Sequence, residues 1–203
     1  MRRLILLALS LCSVCLMRAQ GPLDAVADKL ASGEVSFKYR FEVKGDVPLK
    51  GDGTAALRGD SFHLFGNGLE IWSDGVTRWT IDRESREAYI ETVDSGSVDY
   101  MANPATLLGS LKAAFKVESV SDVTLGGRKL QAVNLVPSVD DTGLRTVVLY
   151  LDGTTPARVL ITVEDGTKTL FYLSDFSVNK KSDATFAFDI ATLGPEFVVT
   201  DLR

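Results

Sequence analysis

Cysteine is nearly absent and sits where it cannot help a fold. Of 203 residues only Cys12 and Cys15 carry a thiol, and both lie in the first twenty beside Arg2 and Arg3. Whatever removes that segment removes every thiol, which excludes disulfide stapling and thiol catalysis from the product. Histidine is scarcer still, with His63 alone. A zinc or copper centre would have to be built from carboxylates, so a solvent-facing strand residue is the simpler reading. No serine stands in a Gly-x-Ser-x-Gly turn, so a hydrolase triad around His63 has no nucleophile elbow to use. Long hydrophobic runs are missing too: the longest, from Leu4 to Met17, has fourteen residues, short of the roughly 20 that span a bilayer.

That run is the middle of a recognisable pattern: Met1-Arg2-Arg3, the apolar stretch, then Arg18-Ala19-Gln20 with a small residue at a cut site. It reads as an export signal over 1–19, cleaved after Ala19. Lipidation would need a small residue before the modified cysteine, whereas Leu11 precedes Cys12 and Val14 precedes Cys15. Cleavage takes away Arg2, Arg3 and Arg18 and no acid, which leaves 27 acidic against 22 − 3 = 19 basic residues, a net of −8. Such a surface repels phosphate backbones, so nucleic acid is not an expected partner, nor is adsorption to an anionic bilayer by charge alone. The remaining 20–203, 45% hydrophobic across the full chain, suits one globular domain.

Turn signals recur at short intervals: Gly45-Asp46, Gly51-Asp52-Gly53, Gly59-Asp60, Gly66-Asn67-Gly68, Asp74-Gly75, Gly126-Gly127, Asp152-Gly153 and Asp165-Gly166. Strand-sized apolar runs lie between them, the mark of an antiparallel β domain. In Glu34–Lys44, Val35, Phe37, Tyr39, Phe41 and Val43 alternate strictly with polar residues, so one face is apolar and the other wet. Further strands are expected at 53–58, 61–65, 69–73, 76–82, 87–93, 117–125, 129–136, 144–151, 157–164 and 168–178, with short pieces near 185–189 and 197–201. So many strands call for a strongly curved sheet or barrel. Two segments break the rhythm. Residues 22–32 place Leu23, Val26, Ala27 and Leu30 on one helical stripe between Pro22 and Gly33. Residues 104–115 do the same with Leu107, Leu108, Leu111 and Phe115, with Asn103 as N-cap and Pro104 at the first helical position. Both stripes need cover, and the apolar sheet face supplies it.

Candidate chemistry is thin. Asp94-Ser95-Gly96 and Asp141-Thr142-Gly143 have the triplet form of aspartic proteases, but both lie in polar surroundings where such residues ordinarily make turns. The Asp-Gly pairs lack the spaced ligands and terminal Glu of a calcium loop and read as hairpin turns. The surplus is aromatic: ten Phe, five Tyr and two Trp. From periodicity alone they fill a core, the default for small barrels, or line a cavity for a greasy ligand with the helices as lid.

The stretch Ser73-Asp74-Gly75-Val76-Thr77-Arg78-Trp79-Thr80-Ile81-Asp82 followed by Glu87-Ala88-Tyr89-Ile90 resembles a hairpin of the LolA-like periplasmic lipoprotein carriers, in which a Ser-Asp-Gly turn leads into a Trp-x-Tyr-Asp strand. Other pieces agree in order: the export signal, the N-terminal amphipathic helix, the long alternating strand, Asn103-Pro104-Ala105-Thr106-Leu107-Leu108, Phe186-Ala187-Phe188-Asp189, Gly194-Pro195 and Val199-Thr200-Asp201. The resemblance implies a mainly β fold with short helices (α+β), an unclosed antiparallel β-barrel with a helical lid on its concave face. It implies a monomeric periplasmic carrier of acylated lipoproteins, from an inner-membrane ATP-driven release complex to an outer-membrane acceptor, with no catalytic group, metal or cofactor. On that reading Phe37, Tyr39, Phe41, Phe62 and Trp79, with the helical Leu107, Leu111 and Phe115, are expected to line an acyl-chain cavity. Arg58 resembles the family's lid-steadying arginine, although Gly59 stands where the family has proline and Leu64 where it has an aromatic. The competing expectations are an envelope lipid-binding or sensing module with a different lipid cargo, and a structural envelope domain with a filled core.

Overall fold

The computed structural model describes residues 21–93, 103–139, 143–180 and 185–203. The first described element is helix α1 over 21–31. Six strands follow: β1 (Glu34–Lys44), β2 (Leu49–Arg58), β3 (Ser61–Gly66), β4 (Leu69–Ser73), β5 (Thr77–Asp82) and β6 (Glu87–Thr92). Helices α2 (Pro104–Gly109) and α3 (Leu111–Ala114) then lead into β7 (Phe115–Leu125), β8 (Arg128–Pro137), β9 (Leu144–Asp152), β10 (Thr155–Val163) and β11 (Lys168–Asn179). A 3-10 turn at Ile190–Thr192 precedes β12 (Val198–Asp201). The expected signal segment and both Asp-x-Gly aspartates, Asp94 and Asp141, lie outside the described residues.

The twelve strands form one sheet in the order β12-β6-β5-β4-β3-β2-β1-β11-β10-β9-β8-β7. Its edges β12 and β7 do not meet, and only the β12–β6 pairing is parallel. This is the mainly β, unclosed antiparallel architecture expected from the sequence. Two local expectations are corrected. Residues 185–189 make no strand; Asp189 instead caps the 3-10 turn by accepting the Ala191 N–H. The helix expected over 104–115 stops at Ser110, whose backbone and hydroxyl both donate back to the Thr106 carbonyl, and resumes for one turn. It ends before Phe115, which is extended and pairs with Pro137 as the first residue of β7. Asn103 caps α2 as expected, its Oδ1 accepting from the backbone N–H of Ala105 and Thr106 at 3.0 and 3.2 Å.

Residues directly opposite one another in neighbouring antiparallel strands share a face. Val35 aligns with Leu57 and Val178, and Leu57 with Phe62; Phe41 aligns with Phe171, and Phe171 with Val159. That face joins the buried stripes of α1 and α2 in one apolar cluster. A bulge in the β1–β11 pairing between Ser36 and Lys38, where Asp175 takes φ +52°, shifts the register by a residue. It keeps both Leu173 and Phe176 on the covered side; Phe176 stacks on Phe37 with ring centroids 5.8 Å apart. On the β2–β3 side of Tyr39 the facing positions are Gly53 and Gly66, while on the β11 side stands Leu173. A Cβ on Gly53 would come 2.6 Å from the Tyr39 hydroxyl oxygen and would overlap the Phe65 carbonyl, and one on Gly66 would come 2.8 Å from the same hydroxyl. The ring thus lies directly on the bare backbone of β2 and β3, a close approach that a side chain at either glycine would block.

Candidate functional site

Three short helices close the apolar face. Leu23 and Val26 of α1 and Leu107 of α2 have no exposed surface, and Leu108 and Leu111 are 1% exposed. On the α1 side, Lys29 donates to the Thr155 hydroxyl at 2.6 Å and lies over the Phe176 ring. Lys112 of α3 ties the helices to each other: its Nζ is 2.7 Å from Asp28 and 3.7 Å from Asp24, both on α1. The hydrogen bond to Asp28 raises its pKa. At the other end α2 packs close to the β2–β3 turn, where a Cβ on Gly109 would sit 3.1 Å from the Gly59 carbonyl. Among the described residues the buried cluster beneath is apolar apart from Tyr39, whose phenol is pushed up to about 12 by burial and by the charge of Asp52, and stays protonated.

The structure places Phe37, Tyr39, Leu107, Leu111 and Phe115 in this closed cluster, with Phe41 and Phe62 packed against it and partly exposed. Tyr39, Phe41 and Phe171 form a ring-on-ring group with centroids 5.9 to 6.4 Å apart. Trp79 is not among them. It pairs with Trp72, and Trp72 with His63, a row that falls on the opposite face from Phe37. In β5 and β6 the apolar residues that alternate, Trp79 and Ile81 with Ala88 and Ile90, are those of the opposite face, so an apolar strand face at this end is not a helix-covered one. Arg58 has its guanidinium over the Phe186 ring, 5.5 Å from the centroid, and so meets the C-terminal segment. The expectation also missed half of the covered face. Val147, Leu149, Val159, Ile161 and Phe171 are at most 1% exposed, but β9 reads Val-Val-Leu-Tyr-Leu, apolar on both sides, so alternation gave no signal for which face is covered.

The opposite face has its own core. His63 stacks on Trp72 at 3.8 Å, and Trp72 meets Phe188 at 6.0 Å. Glu70 accepts from Trp72 Nε1 at 3.1 Å and from Arg83 at 2.6 and 3.0 Å. Burial alone would raise the Glu70 pKa, but the bonds from Arg83 and Trp72 and the nearby positive charge outweigh it, and the carboxyl is held below its ordinary value. His63 Nε2 is buried without a hydrogen bond, 3.4 Å from Glu70 Oε1. Burial lowers the His63 pKa, against the opposing pull of Glu70. His63 is thus partly packed, with its ring on Trp72 and its side chain still 29% exposed at an open groove, where the sequence suggested a solvent-facing strand residue. Among the described residues no three His, Cys, Asp or Glu side chains converge to hold a metal ion, and no helix is long and apolar enough to cross a membrane.

Two open grooves mark the surface, and no helix residue lines either. One, of about 470 Å³, lies beside His63 between Ser36, Lys38, Thr54, Ala56 and Asp175. The other, of about 510 Å³, lies between the ends of β7, β8 and β9. Leu23, Val26, Leu107, Leu108 and Leu111 fill the contact between the helices and the sheet face beneath them.

No protein-family model matches the sequence, and no curated protein does. Among solved structures the chain is similar to an uncharacterized conserved protein from Thermus thermophilus, at 12% identity and a TM-score of 0.56, covering 91% of this chain and 99% of that one. It is similar to a DUF1329 family protein from Desulfovibrio piger at 10% identity and a TM-score of 0.50, covering 88% and 99%. A LolA superfamily protein from Nitrosomonas europaea aligns at 9% identity and a TM-score of 0.49, covering 84% and 97%. At such identities the likeness is one of fold.

Proposed function

We propose that the protein is a periplasmic carrier that shelters the acyl chains of lipoproteins on its helix-covered face and ferries them from the inner to the outer membrane. The observation that carries this reading is an apolar sheet face closed by helices too short to stand alone. α2 has six residues and α3 four, well below the roughly 12 an isolated helix needs, so burial of their leucines is what holds them down. Lifting Leu23, Val26 and Leu30 with Leu107, Leu108 and Leu111 costs about 9 to 18 kcal/mol at roughly 1.5 to 3 each. A sixteen-carbon acyl chain returns about 12 kcal/mol at roughly 0.8 per methylene, so several chains outweigh the closed lid while the empty carrier stays shut. The export signal and the Asp-Gly-x-x-x-Trp hairpin support the same reading. The chemistry is transfer without bond making: the residues bind, shelter and release.

The test is to purify the mature protein from its own envelope under mild conditions and identify what co-elutes by mass spectrometry. Triacylated lipoproteins are expected. A free lipid alone moves the assignment to a lipid-binding or sensing module, and neither lipoprotein nor lipid refutes both.

A further inference from the structure

The apolar face does not end abruptly; it runs out into the groove between β7, β8 and β9, and its lining turns polar there. Val120 aligns with Val133, and Val133 with Leu149; two residues further along the same strands Asp122 aligns with Gln131, and Gln131 with Leu151. Thr124 and Lys129 form the next pair. These side chains share the covered face by alternation, and they line the groove of about 510 Å³ together with Leu151, Gly153 and, from the other side of the sheet, Val123 and Leu130. Leu151 is 1% exposed and belongs to the helix-covered cluster, so the floor of the groove is continuous with that face. Gly153 has φ +60° and nothing within 4 Å of where a Cβ would stand, which leaves the groove open at that corner.

The lining says what it suits. The backbones of Asp122, Thr124, Lys129 and Gln131 belong to the strand ladder, and among the described residues their side chains make no hydrogen bond or ion pair. They offer a carboxylate, a hydroxyl, an ammonium and an amide, with one acid against one base, so the lining carries no net charge and suits a neutral polar group. Beside it runs the outer edge of β7, the last strand of the sheet among the described residues, whose outer backbone groups can pair with an added extended chain. Resting on the carrier reading, we infer that this groove and the adjoining β7 edge form the site for the uncharged amide and ester head of the acylated cargo and the first residues of its polypeptide. The acyl chains lie under the helices, and the cargo chain leaves over Asp122 and Gln131.

The experiment uses the mature protein and three probes: a tripalmitoylated cysteinyl hexapeptide of Ser, Thr and Val, free palmitate, and phosphatidylglycerol. Binding is measured by fluorescence displacement, and backbone protection by hydrogen exchange. The hexapeptide is expected to slow exchange over 119–125, whereas palmitate does not. Asp122→Ala with Gln131→Ala, both at solvent-reached positions, is expected to weaken the hexapeptide about tenfold, as two lost hydrogen bonds would, and to leave palmitate affinity and the circular dichroism spectrum unchanged. Equal hexapeptide affinity in wild type and variant, unchanged exchange over 119–125 on loading, or preferred uptake of phosphatidylglycerol each overturns this site while the carrier reading survives. Failure of the wild type to take up any acyl probe overturns both.

Discussion

Truncating Leu107 to alanine separates a lid from a core. The residue is wholly buried, and removing such a leucine costs about 2 to 5 kcal/mol, depending on how far the site collapses. If α2 and α3 open as a unit while the sheet stays folded, that loss falls on the local opening reaction alone. Amides over 104–114 should then exchange roughly 30-fold faster at the lower bound and some thousands-fold at the upper, at about 1.4 kcal/mol per tenfold. Amides of β1 and β11 should keep their wild-type rates within about threefold. Leu149→Ala is the control: equally buried on the same face but within β9, it should speed the slowest amides everywhere. Hydrogen exchange with mass spectrometry on the mature protein reads both patterns. Parallel acceleration of 104–114 and of β1 in Leu107→Ala would show that the helices are an inseparable part of the core, and the argument for a movable lid would fail.

Two further outcomes follow from local geometry. Gly53→Ala should destabilise the fold by about 1 to 3 kcal/mol, as overpacking does, because the new methyl meets the Phe65 backbone and the Tyr39 ring; a denaturation midpoint equal to wild type would refute the tight seating of Tyr39 on this glycine. His63→Gln should flatten the pH dependence of stability: the folded-state pKa lies below 6.5, so the unfolded chain binds the proton more readily and stability present above about 6.5 is lost as pH falls toward the folded value. Glu70 titrates below its ordinary value, beneath that window, so an unchanged slope between about pH 6.5 and 5 in the variant would refute the assignment to His63.

Local signals told most of the fold. Strict alternation placed β1 at its observed bounds, Asn103-Pro104 marked the start of α2, and the Gly-containing turns separated the strands. The break at Ser110 was invisible because the stripe Leu107, Leu108, Leu111, Phe115 has helical spacing throughout. Long-range pairing of Phe115 with Pro137 overrode that spacing, a partner 22 positions away that no local pattern signals. The site was legible in part for the same reason. Where one side of a strand is polar, as in β1, the covered residues can be read directly. Where both sides are apolar, as in β9, or where the apolar side faces the other way, as in β5, only the register decides, and register is set by neighbours.

That reversal bears on how the protein could open. The sheet buries one face under α1–α3 across β1, β2 and β7–β11, and the other face across β5 and β6. Ile81, Ala88, Ile90 and Phe186 are buried yet fall outside the helix-covered cluster. The His63–Trp72–Phe188 stack and the Arg83–Glu70 bond lie on that second side. Lifting the helices therefore strips one core and leaves the other intact. A sheet with a single shared core would lose its packing whenever the lid rose, and the energy returned by acyl chains would have to refold it. With the second core in place, β3–β6 keep their packing when the helix-covered face is exposed, so on the carrier reading opening would not require this end of the sheet to refold.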